Sequence, residues 1–91
     1  MTAGYQRNPR IIDRIEADGE CYLFDPQTAR FRRLNRVGTD IWNLLDETGD
    51  IDAIADRLLR RYKGVDRSRL YLDIEALLER MVAAELVEHA A

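Results

Sequence analysis

Cys21-Tyr22-Leu23-Phe24-Asp25-Pro26-Gln27-Thr28-Ala29-Arg30-Phe31-Arg32-Arg33-Leu34-Asn35 is the stretch that decides the fold. Cys21 to Phe24 is a β-favouring run with large side chains on both faces, the pattern of a strand covered from both sides. Asp25-Pro26-Gln27-Thr28 reads as a turn, because Pro26 fixes φ at the second turn position and Asp25 can bond back to the backbone. Arg30-Phe31-Arg32-Arg33-Leu34 returns as a short strand, so the two runs make a hairpin. At Asn35, a good helix N-cap, the strand pattern stops and a 3.6-residue period begins.

Upstream, Ile11, Ile12 and Ile15 form a first apolar segment that ends at the turn pair Asp18-Gly19. The region from about Arg10 to Leu34 is therefore a meander of three antiparallel strands. Downstream, Val37, Ile41, Leu44 and Leu45 share one face of a first helix. Asp46-Glu47-Thr48-Gly49-Asp50 breaks it, and Asp50 caps a second with Ile54, Leu58, Leu59 and Tyr62 inward. Asp52 in its first turn and Arg60, Arg61 and Lys63 at its end complement the helix dipole, and Gly64 closes it. Asp66 caps a longer third helix whose apolar face is Leu70, Ile74, Leu77, Leu78 and Met81. Leu86-Val87-Glu88 packs or pairs briefly before the tail. The expected fold class is α+β, a three-stranded antiparallel sheet followed by a three-helix bundle. In outline it is winged-helix-turn-helix-like, with Trp42 beside the core.

At 91 residues the chain has room for one modest core, so a single domain over 1–91 is expected, its core spanning 10–88. The balance of 46% hydrophobic and 34% charged residues favours a globular chain over a disordered one. No apolar run approaches the roughly 20 residues that span a bilayer, and Met1 to Arg7 lacks the apolar region of a secretory signal. One cysteine cannot make an internal disulfide, which suits a reducing cytosol. A cytoplasmic domain without a membrane partner is the expectation.

Catalytic chemistry finds few candidates. His89, the one histidine, reads as a solvated residue near a frayed C-terminus, and Cys21 as a half-buried strand thiol without a metal-ligand partner. The glycines are scattered singly, so no phosphate-binding loop exists. Caps and solvated helix faces account for the carboxylates. Neither an enzyme nor a metal or cofactor site is expected. A winged-helix DNA-binding protein is the alternative, but net charge is −3 and the third helix sets Asp73, Glu75, Glu79 and Glu85 against Arg67, Arg69 and Arg80. That helix has no Asn or Gln to read bases, so no nucleic-acid partner is expected.

The third strand is unusual. Arginines at 30, 32 and 33 are poor sheet formers but suit an edge, where charge discourages promiscuous pairing. The same edge offers free N–H and C=O groups that an extended peptide can complete. Both accounts fit these residues.

Leu23-Phe24-Asp25-Pro26-Gln27-Thr28, Arg30-Phe31, Leu34-Asn35, Gly38, Ile41-Trp42 and Leu44-Leu45-Asp46 resemble the central signature of PqqD-like proteins. Ile51-Asp52 with Ile54 and Leu58, Tyr62 ahead of Val65-Asp66, Asp73-Ile74 with Leu77-Leu78, and Leu86-Val87 continue the resemblance, which covers about Gly19 to Glu88. Ala29 stands where a glycine is usual at the end of the hairpin loop, and a left-handed backbone there is costlier for Ala. Glu85 replaces another common glycine and is expected to extend the last helix.

The resemblance implies a RiPP recognition element. Such domains bind the leader of a ribosomally made precursor peptide as an added strand on the third β-strand, with leader side chains packing toward the third helix. This short chain resembles the separate kind rather than a domain fused to its enzyme. On that reading Arg30, Phe31, Arg32, Arg33 and Leu34 form one wall of the site, with Arg32 and Arg33 steering an acidic leader. Leu70, Asp73, Ile74 and Leu77 form one helical stripe that would be the other wall. Leu70, Ile74 and Leu77 also suit a plain core role, and Asp73 is placed to hold a strand arginine or meet a leader donor. The implied partners are the precursor leader and a modifying enzyme. The signature leans toward lasso peptides, with a leader peptidase and a cyclase, over pyrroloquinoline quinone and other radical SAM pathways.

Overall fold

The computed structural model describes residues 4–90, so residues 1–3 and 91 of the expected domain lie outside the described residues. The chain runs β1 (Gly4–Arg7), β2 (Ile12–Ile15), β3 (Cys21–Asp25), β4 (Arg30–Leu34), α1 (Arg36–Leu44), α2 (Ile51–Arg61), α3 (Arg67–Ala83) and β5 (Val87–Ala90). The expected meander is the antiparallel sheet β2-β3-β4, and the expected third strand is β4, at its edge. The three N-caps are those read from sequence. Asn35 accepts from the Gly38 N–H, Asp50 from Asp52 and Asp66 from Arg69, each meeting a donor the helix leaves free.

Turn chemistry sets the hairpin. Asp25 Oδ1 accepts from the Gln27 N–H at 2.9 Å, and the Ala29 N–H reaches the Asp25 carbonyl at 2.7 Å. Ala29 has φ 58°, the left-handed backbone that glycine would take more cheaply. Glu85 does the same at φ 62°, so it ends α3 rather than extending it. The Leu86 N–H bonds the Met81 carbonyl and the Glu85 N–H that of Val82, each at 2.9 Å, which is a Schellman stop.

The sheet register separates two faces. On the inner face, Asp13, Leu23 and Arg32 form one row and Ile15, Cys21 and Leu34 the next. On the outer face, Ile12, Phe24 and Phe31 stand in one row and Arg14, Tyr22 and Arg33 in another. Cys21 and Leu23 are wholly buried, whereas Phe31 is 73% and Ile12 56% exposed. The strand expected to be covered on both sides is thus covered on one, because the core it shares with the helices lies on the inner side. Trp42 lies inside the core rather than beside it, 1% exposed, with its Nε1 donating to Asp13 at 2.9 Å. Leu23, Ile41, Ile54, Leu58, Ile74 and Leu78 share that core, and burial of each contributes about 1.5–3 kcal/mol.

A second, two-stranded sheet extends ordered structure beyond the expected core of 10–88. β1 pairs antiparallel with β5, Tyr5 opposite His89. The Tyr5 hydroxyl donates to Glu79 of α3 at 2.5 Å, and His89 Nε2 lies 3.3 Å from the same carboxylate. His89 is therefore a strand residue stacked on Tyr5, ring centroids 5.1 Å apart, and not part of a frayed tail.

Candidate functional site

β4 pairs with β3 along one side only, so its other side carries a row of unpaired backbone groups. The strand is held in place from below. Buried Thr39 of α1 accepts from the Cys21 N–H at 3.2 Å and donates to the Leu34 carbonyl at 3.3 Å, fixing the end of β4 to the helix. At the other end Arg10 clamps Asp25 with two hydrogen bonds of 2.9 and 2.7 Å. The Arg10 guanidinium holds the Asp25 carboxyl down to about 2, against the cost of its burial.

Two hollows along α3, one against the start of α1 and the other against β4, make up a trough beside the β4 edge. One hollow, about 210 Å³, is bounded by Asn35, Val37, Gly38 and Ile41 on one side and Leu70, Asp73, Ile74, Leu77 and Arg80 on the other. The second, about 170 Å³, is bounded by Arg30 and Arg32 of β4 and by Ala84, Glu85 and Leu86. Arg80 and Ala84 are one helical turn apart, so a single face of α3 forms the wall of both. α3 runs antiparallel to β4 along the trough.

The structure thus brings together most of the expected site. Leu70, Asp73, Ile74 and Leu77 line one hollow. Ile74 is fully buried at its floor, while Leu70 and Leu77 stay half-exposed and apolar contact remains available. Leu34 is buried on the inner face, and Arg30 and Arg32 face the second hollow.

The structure gives three of the expected site residues other partners. Arg33 lies on the outer face and is ion-paired with Glu20, so it does not join Arg32 in the trough. Phe31 also points outward, its ring 4.6 Å from that of Phe24. Strand alternation separates neighbours, and positions 32 and 33 cannot serve one face. Asp73 pairs with Arg69 on its own helix at 3.5 Å instead of holding a strand arginine. The residues overlooked by sequence are Val37 and Arg80. The signal for Arg80 was present, since it continues the stripe 70, 73, 74, 77 at the next helical step.

Other features resolve as structural. Cys21 is buried, and burial pushes its thiol up, away from a reactive thiolate. A larger hollow of about 540 Å³ lies beside the α1–α2 loop. Its carboxylates are already committed: Asp46 faces Arg7, Glu47 faces Arg57, Asp52 faces Arg67 and Asp50 caps α2. Arg67, which a major-groove helix would present to phosphate, is tied to Asp52 and Asp56. Among the described residues no His, Cys, Asp and Glu group is arranged to hold a metal ion.

Comparison with known proteins finds the same fold. A family model described as coenzyme PQQ synthesis protein D (PqqD) matches residues 20–87. The solved structure of TbiB1 in complex with the TbiA(beta) leader peptide superposes with a TM-score of 0.83 at 29% identity, covering 91% of this chain and 94% of that one. A lasso peptide synthetase B1 complexed with the leader peptide superposes at 0.78 and 22% identity, covering 93% and 98%. No curated protein sequence matches the chain.

Proposed function

This chain belongs to the PqqD family, and on that premise we propose that it is a non-catalytic recognition domain, 1–91, for a precursor leader peptide. The leader adds as a strand to β4 and lays side chains into the trough against α3. Backbone pairing supplies sequence-tolerant affinity, and the hollow beside Leu70 and Leu77 supplies selectivity. The observation that carries this reading is the unpaired edge of β4, with a half-apolar hollow on α3 just past its Leu34 end and a second hollow beside Arg30 and Arg32. The likeness to TbiB1, a protein solved with a leader peptide, supports it.

The bound leader is then presented to a modifying enzyme in the cytoplasm. No described helix is long and apolar enough to cross a membrane. A lasso-type pathway, with a leader peptidase and a cyclase, is the proposed setting ahead of pyrroloquinoline quinone and other radical SAM pathways. A short peptide gene beside protease and cyclase genes would bear this out; a radical SAM gene in their place would overturn it.

Calorimetric titration of the cognate leader tests the binding role. Arg30→Glu with Arg32→Glu, both on the inner face, should weaken binding by about tenfold or more. Arg57→Glu with Arg60→Glu on α2 should leave it unchanged. The reverse result would move the site off β4. The protein alone should not alter the mass of the precursor.

A further inference from the structure

The trough combines an apolar hollow with arginines from both its walls, and from this, given the peptide-binding reading above, the chemistry of the bound segment follows. The chain carries a net charge of −3, and most of its arginines are neutralised in pairs, as with Arg10–Asp25, Arg33–Glu20, Arg61–Asp40 and Arg67–Asp56. Among the described residues Arg30, Arg32, Arg36, Arg60 and Arg80 have no such partner. Three of the five border the hollows, Arg30 and Arg32 the one beside β4 and Arg80 the other, from α3. Of the carboxylates beside them, Asp73 already answers to Arg69, and Asp25 to Arg10. Glu85 alone is left to offset three cations.

We propose that the trough selects a bipartite extended peptide. A large apolar side chain enters the hollow at the Asn35 end, between Val37, Leu70 and Leu77. An Asp or Glu side chain further along the peptide sits between Arg32 and Arg80. Both must point inward from one strand, and side chains of an extended chain alternate faces. The two determinants are therefore separated by an even number of positions. Charge that only discourages edge pairing would impose neither the acid nor the spacing. Arg80 places a cation on the helix wall, where a device to protect the strand edge has no use for one.

Selection from a displayed library of random twelve-residue peptides tests this, using the full 91-residue protein. The Arg32→Gln/Arg80→Gln variant, checked for folding by circular dichroism, and an Arg60→Gln control run in parallel. Peptides enriched on the native protein should carry Asp or Glu at an even separation from a large apolar residue. Changing that acid to its amide in the best peptide should weaken binding about tenfold on the native protein and the control. On the double variant the acid and amide forms should bind alike. Enriched peptides without an acid, with odd spacing, or with an acid preference that survives in the double variant would overturn the bipartite trough while leaving strand addition standing. Failure to enrich any peptide would remove both.

Discussion

Ala29 and Glu85 hold left-handed backbone at φ 58° and 62°, where a Cβ crowds the following carbonyl at a cost of about 1–2 kcal/mol. Glycine avoids that crowding but gives up more entropy on folding, so Ala29→Gly and Glu85→Gly should each stabilise by about 0.5–1 kcal/mol. Urea denaturation would measure this, and a loss at either site would mean its turn tolerates Cβ without strain. Asp25 offers a pH test. Its folded value of about 2 lies below the ordinary value near 3.9, so the unfolded chain binds its proton first as pH falls. The contribution is complete above about pH 4 and is lost on the way down to pH 2. Asp25→Asn should lower the urea midpoint at pH 6 and flatten its decline between pH 4 and 2. All three positions were visible in sequence, Asp25 as a turn residue and Ala29 and Glu85 as departures from glycine. Strand alternation alone separates Arg32 from Arg33. That Arg33 answers to Glu20 depends on a neighbouring strand, which no local pattern reveals.

At the level of elements, what is local was legible and what is distant was not. The helices carry their evidence within themselves, in caps at Asn35, Asp50 and Asp66 and in apolar residues at helical spacing. β1 carries almost none. Gly4-Tyr5-Gln6-Arg7 is short and becomes a strand only because Val87–Ala90 lies beside it at the far end of the chain. Its anchor on α3 is Tyr5, whose hydroxyl is pushed up to about 12 by burial first and then by its bond to Glu79. Tyr5→Phe removes that one bond and should cost about 1 kcal/mol. Peptide affinity should be unchanged, because Glu79 is not among the residues lining the trough. A thermal scan and a titration on the same variant would check both halves. An affinity loss would tie the terminal ribbon to the trough through α3.

Across the whole molecule, the proposed function rests on a sheet edge and a helix face in one region of the surface. Sequence pointed to both walls, since arginines on a short strand and a stripe at 70, 73, 74 and 77 are local patterns. Their collinearity is a tertiary fact, and it makes Arg80 and Val37 part of the site. It also leaves the outer sheet face, with Ile12 and Phe31, outside the trough. On the proposed reading the leader becomes the fourth strand of the sheet, next to β4. Residue-resolved amide hydrogen exchange, with and without the leader, tests it most directly. Strand pairing engages the N–H groups of alternate residues. Exchange should therefore slow at alternating positions from Arg30 to Leu34 and along the Leu70 to Leu77 face, with α2 unaffected. Unchanged exchange throughout β4 under saturating leader would contradict the account.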